Sequence, residues 1–135
     1  MNRLAAYILA LQNTVPKSSI VTPVVSPGSN VITNNVSVSS SSPTIINQAS
    51  STSKNFIVEV TGTIENSNTV ITVYIQYTDL VTGLITQQYL AQNQSYSPQS
   101  LNFPIVPISS SGPVQVYASS NPINNLILNV VIGVQ

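Results

Sequence analysis

The side chains able to do acid–base or nucleophilic work in this sequence are few enough to name. Arg3, Lys17 and Lys54 are its cations, and Glu59, Glu65 and Asp79 its carboxylates. A glycoside hydrolase needs two carboxyl groups facing each other across the bond to be cut. Glu65 and Asp79 instead bracket opposite ends of one apolar stretch, and Glu59 falls by alternation on an outward face. Serines abound, but a nucleophilic serine needs a base within hydrogen-bond reach. The sequence has no histidine, and neither lysine stands in a serine–lysine pattern. With no cysteine either, thiolate and imidazole metal sites and disulfides are excluded. Calcium would need more carboxylates than three, unless amides and carbonyls supplied most of the ligands. The five glycines form no phosphate-cradling loop. The expectation is a non-enzyme with no catalytic, cofactor or metal site.

The same scarcity bears on partners. Charged residues are 4% of the chain, against roughly 25% in ordinary soluble proteins. Three scattered cations cannot neutralise a run of phosphates, so nucleic acid is not an expected partner. The chain is not disordered in composition, since 42% of it is hydrophobic. Its formal net charge is zero, so the surface offers little repulsion against self-association. A neutral surface rich in hydroxyls and amides suits an extracellular assembly in which neighbours bury one another. The plainer alternative is a monomer of unusual composition.

The elements that would carry such a surface are strands. Thr69–Thr78 (TVITVYIQYT) alternates strictly, with Ile71, Val73, Ile75 and Tyr77 on one face and Val70, Thr72, Tyr74, Gln76 and Thr78 on the other. Phe56–Ile64 alternates the same way, and the ENSN run at 65–68 predicts a hairpin between the two. Asp79–Gly83 is a second turn, leading into Leu84–Ala91. Further strands are predicted at Asn30–Ser39 (Ile32, Val36 and Val38 in phase), Thr44–Gln48, Val114–Ser119 and Leu126–Val134. Tyr96–Ile108 is a strand region broken by Pro98, Pro104 and Pro107. About eight short strands with turn signals every 8–12 residues predict one antiparallel β-sandwich over residues 30–135, jelly-roll or immunoglobulin-like. Asn35-Val36-Ser37 and Asn93-Gln94-Ser95 match the glycosylation pattern, as chance allows in so Asn- and Ser-rich a chain.

Residues 1–29 read differently. Leu4–Leu11 is an apolar run, too short to span a bilayer, where a helix needs about 20 residues. Ala5, Ala6, Leu9 and Ala10 favour a short helix that Pro16 would stop. With Arg3 before it, the run also has the start of a secretory signal, but Gln12 and Asn13 follow in place of small residues. Residues 16–30 hold three prolines and the pairs Ile20-Val21 and Val24-Val25, which predicts an extended segment lying along a surface. Such a segment packs on its own domain or serves as a connector to another copy.

The run ITVYIQYTDLVTGLITQQYLAQNQSYSPQSLNFPIVPISSSGPVQVYAS resembles the small β-sandwich subunits of bacterial endospore appendage fibres. The shared rhythm is a Thr/Val strand, a TD-x-x-TG turn, an NQS-x-x-P segment and a GP-V-x-V strand, over about half of the chain. The resemblance implies a jelly-roll, and a connector that docks into the neighbouring subunit, here Leu4–Val25. Known members lock that contact with connector cysteines; this chain has none, so strand addition and apolar insertion would hold the fibre, as in pili built by donor-strand complementation. The expectation is an extracellular structural subunit, on a cell or spore surface, whose partner is itself, with possible anchor or tip proteins. Leu4, Tyr7, Ile8, Leu9, Leu11, Ile20, Val21, Val24 and Val25 would form the polymerisation interface, entering an open groove or edge. The alternative function is an adhesin or viral decoration domain that binds a surface ligand or glycan. An isopeptide crosslink between Lys54 and an asparagine such as Asn129, promoted by Glu59, is the one self-directed reaction the side chains could supply.

Overall fold

In the computed structural model, which describes residues 22–135, the alternation of Thr69–Thr78 becomes a strand with those bounds, β4. Eight others surround it: β1 (Asn30–Ser37), β2 (Thr44–Ala49), β3 (Asn55–Ile64), β5 (Ile85–Tyr96), β6 (Gln99–Asn102), β7 (Val106–Ser109), β8 (Val114–Asn121) and β9 (Leu126–Val134). One sheet runs β1-β9-β3-β6, with β7 also on β3; the other runs β2-β8-β4-β5. The pairing is nested: β1 with β9, β2 with β8, β3 with β6 and β7, and β4 with β5, all antiparallel. A chain folded back on itself in this way and wrapped into two sheets is a jelly-roll. The topology therefore settles the choice that strand count left open.

The core forms where the alternating faces meet. Phe56, Val58, Val60 and Ile64 of β3 and Leu126, Leu128, Val130, Ile132 and Val134 of β9 face Ile71, Val73 and Ile75 of β4 and Val114, Val116 and Ala118 of β8. Each large aliphatic side chain withdrawn in this way contributes about 1.5–3 kcal/mol. Glu59 is exposed on the outer face of its sheet, opposite Val131, as its phase requires.

The hairpin expected between β3 and β4 does not form: the two strands belong to different sheets, and residues 65–68 cross from one sheet to the other. Several strands also depart from the sequence-based expectation. β5 runs five residues past Ala91, because hydrogen bonding to β4 outweighs the polarity of Gln92–Ser95. The proline-broken region splits into β6 and β7, which share β3 as partner. In β1 a bulge between Thr33 and Val36 adds one residue to that side of the ladder. The side-chain phase flips there, so Val31 and Val36 turn inward and Ile32, expected inside, lies exposed. Asn35 takes φ 51° at the bulge, and Asn93 takes φ 45° in β5. Asparagine tolerates that region better than most residues, which gives both apparent glycosylation motifs a backbone reason.

β9 passes close over Gly62 of β3. A Cβ there would sit 2.6 Å from the Ile127 carbonyl oxygen and 2.8 Å from Leu128 Cδ2. Gly62→Ala is expected to cost about 1–3 kcal/mol through overpacking, read as a lower urea midpoint with an unchanged slope. A midpoint equal to the parent's would show that β9 yields freely.

Candidate functional site

Of the residues expected at a polymerisation interface, Val24 and Val25 lie within the described region; Leu4, Tyr7, Ile8, Leu9, Leu11, Ile20 and Val21 lie outside it. Residues 22–29 are tied to their own sandwich. Val25 N donates to Ser50 O (3.0 Å) and Ser50 N to Pro23 O (2.8 Å), a parallel bridge at the end of β2. Gly28 N donates to Val134 O (2.7 Å). Val25 packs against the domain's own core, whereas Val24 is 76% exposed. The pockets expected for insertion have no counterpart among the described residues, between whose sheets no cavity opens. The edges remain.

The four sheet edges are not equivalent. β1 and β2 lie side by side, and the buried Asn47 of β2 joins the sheets there: its Nδ2 donates to Val31 O (3.0 Å) and Val130 O (3.3 Å). The β6/β7 edge is two strands of four residues each, interrupted at Pro104 and carrying Pro107. β5 spans twelve residues without a charge or a proline, the devices that normally defend an edge. Its second half bulges opposite Ile71–Tyr74. Its first half, Ile85–Tyr89, pairs regularly with Thr78–Tyr74 and has no outer partner among the described residues.

The outer face of the β2-β8-β4-β5 sheet carries two cross-strand rows. Gln87 Nε2 donates to Gln76 Oε1 (2.9 Å), Gln76 Nε2 to Gln115 Oε1 (3.4 Å) and Gln115 Nε2 to Gln48 Oε1 (3.1 Å). Thr22 Oγ1 donates to the same Gln48 oxygen at 3.0 Å. All the amides thus point one way across four strands, from the open edge of β5 to the segment on β2. Gln48 Nε2, at the end of the row, is buried without a partner among the described residues. In the next row Tyr74 stacks on Tyr117 (centroids 4.8 Å apart, 11° between planes) and tilts against Tyr89 (5.0 Å, 47°). Burial, then repulsion from the Tyr117 and Tyr89 phenolates, holds the Tyr74 phenol above its ordinary pKa. The phenols of Tyr89 and Tyr117 donate to Gln87 and Gln115, tying the rows together (3.2 and 3.5 Å).

The glutamine row escaped the sequence reading. Gln76 lies on the face its alternation predicts, but Gln48, Gln87 and Gln115 align with it only through cross-strand register. Three of the six tyrosines, Tyr74, Tyr89 and Tyr117, pack on one another in the row beside it. No arrangement unites the acids: Glu65 and Asp79 lie at opposite ends of β4, and Glu59 is on the other sheet. Asn129 lies opposite Thr61, seven residues along β3 from Lys54, and its Oδ1 accepts from Asn35 N (2.9 Å). The isopeptide components are therefore not brought together.

Asp79 shapes the β4–β5 turn. Its Oδ2 accepts from Thr82 N (2.8 Å) and Val81 N (3.1 Å), and Gly83 completes the turn at φ 72°. The Thr82 backbone bond is the main cause holding this exposed carboxyl below its ordinary pKa. The turn displays Leu80, Val81, Leu84 and Ile85 to solvent, Val81 at 91% and Ile85 at 73%.

The fold and face define a nearly uncharged jelly-roll with one undefended stretch of edge, Ile85–Tyr89. No protein-family model matches the sequence, and no curated protein matches it. Among solved structures the chain is similar to the infectious bursal disease virus VP2 subviral particle at 7% identity and a TM-score of 0.42. The match takes in 79% of this chain and 30% of that one, a likeness too slight to bear on what this chain does.

Gln76→Leu removes the central link, leaving Gln115 Oε1 with the Tyr117 phenol and the exposed Gln87 amide with water; a loss of about 0.5–1.5 kcal/mol is expected by urea unfolding. A cost no larger than that of Gln88→Leu, outside the row, would show that the amides act independently. Because the folded pKa of Asp79 is depressed, its support of the turn holds above the unfolded value of about 3.9. That support is lost as pH falls through the folded value. The Thr82 amide shift should therefore titrate with a midpoint below about 3.9, and Asp79→Asn should abolish the step.

Proposed function

We propose that this protein is a structural subunit of an extracellular filament, joined head to tail by docking of its N-terminal segment on the next copy. The observation that carries the reading is that the sandwich closes its core and its β1/β2 seam with residues from Thr22 onward. The apolar run Leu4–Leu11 stands apart in sequence from every residue of that core, and a near-uncharged chain has little to keep copies apart. A head-to-tail contact is heterologous and does not close, so it propagates. The role is mechanical rather than catalytic, as the resemblance to endospore appendage subunits also implies. Docking is by addition at a surface, since the sheets leave no strand-shaped gap among the described residues.

The adhesin or decoration-domain reading finds less support. A sugar platform offers aromatic faces to the ligand, whereas Tyr74 and Tyr117 turn theirs to each other.

The test is negative-stain electron microscopy of the full chain beside a chain that starts at Thr22, which keeps the bonds to Ser50 and Gln48. Filaments from the first and monomers from the second are expected. Uniform small particles from both would overturn the reading. With so few charges, filament yield is also expected to change little between 0.05 and 0.5 M salt, since there is little for ions to screen.

A further inference from the structure

Resting on that head-to-tail reading, we infer that the acceptor is the outer edge of β5 at Ile85–Tyr89 with the apolar turn beside it, and that its occupant is the Leu4–Leu11 segment of a neighbouring copy, added as a strand. The choice of edge follows from the other three. β1 and β2 defend each other through Asn47, with residues 22–25 laid along the end of β2. The β6/β7 edge is short and interrupted by proline. β5 is long and uncharged, and its first half is regular.

Its backbone is also correctly presented. Asp79 N donates to Leu84 O, while Ser111 N donates to Thr78 O on the other side of β4. Bonding direction alternates along a strand, so Tyr77 and Ile75 bond toward β5 through Thr86 and Gln88. The N–H and C=O groups of Ile85, Gln87 and Tyr89 therefore point outward, free to pair with an added strand. Leu80, Val81, Leu84 and Ile85 stand exposed at the start of that edge and match an apolar occupant rather than a charged one.

The occupant follows from where the chain enters the domain. Thr22 sits on Gln48 at the β2 edge, the side of the same sheet opposite β5. Copies placed side by side in one orientation bring the β2 edge of one to the β5 edge of the next. The ten residues between Leu11 and Thr22 can reach about 35 Å when extended, whereas a four-stranded sheet is only about 15 Å across. Leu4–Leu11 holds no charge and no proline, so it can pair along its length. The glutamine row then ends at both of its margins on N-terminal residues, Thr22 of its own chain and the docked strand of another.

The chain's lack of cysteine permits a clean crosslinking test. Ile85→Cys is combined in turn with Leu4→Cys, Ile8→Cys or Leu11→Cys in the full-length protein, and oxidised under filament-forming conditions. A ladder of covalent dimers, trimers and higher species is expected from at least one pair, since disulfides form only when Cα atoms come within about 7 Å. In parallel, Leu84→Lys with Ile85→Lys should abolish filaments, whereas Ile105→Lys on the proline-broken edge should leave them. All three side chains are exposed, and a retained urea midpoint confirms folding. Filaments that persist in the Leu84/Ile85 variant, or filaments without crosslinks, would overturn the acceptor site while leaving head-to-tail assembly intact. Crosslinked dimers from Ile85→Cys alone, or crosslinks within monomers, would overturn the occupant. Absence of filaments from the parent chain would overturn the underlying reading and this one with it.

Discussion

Two open sheets packed face to face have four edges, and each edge carries backbone donors and acceptors that must be paired, covered or defended. Most of what is particular to this jelly-roll follows from meeting that requirement almost without charge. Inward lysines and edge carboxylates, the usual defences, are not available to a chain with three cations and three anions. Covering and interruption take their place: Asn47 reaches from β2 to the carbonyls of Val31 and Val130, residues 22–25 lie on β2, and prolines break the β6/β7 margin. The stretch of edge without such a device is Ile85–Tyr89 of β5.

Neutral chemistry also replaces ion pairs on the sheet face. The glutamine row spans all four strands with its amides oriented alike, and the tyrosine row beside it shares hydrogen bonds with it. Oriented amide chains polarise one another, and cross-strand pairs each add a few tenths to about 1 kcal/mol. Such a face depends little on pH or ionic strength. The exposed turn carboxylate of Asp79 is the exception, and its bonds to Val81 and Thr82 serve local geometry.

Side-chain periodicity was legible wherever a strand was regular. The bounds of β4 and β9 and the inward faces of β3 and β4 could be read from alternation, because a buried face imposes a two-residue period. Legibility failed where backbone geometry departed from that period. The bulge at Asn34–Asn35 put Ile32 outside and Val31 inside, and polar β5 ran on to Tyr96 because β4 supplied its hydrogen bonds. Of the expected interface residues, Val25 packs against its own core and Val24 is exposed, while the others lie outside the described residues.

Composition and alternation by themselves determined an all-β sandwich with a neutral surface, since the hydrophobic period and the charge count are properties of the chain read in order. Nested pairing, and with it the jelly-roll, was decided only in three dimensions, because the sequence does not encode which strand lies beside which in any local pattern. The same holds for the glutamine row: Gln48, Gln76, Gln87 and Gln115 are far apart in sequence and meet through register between strands. It holds equally for the open margin of β5, since an edge is defined by the partner a strand lacks, and that is a property of the assembled sheet.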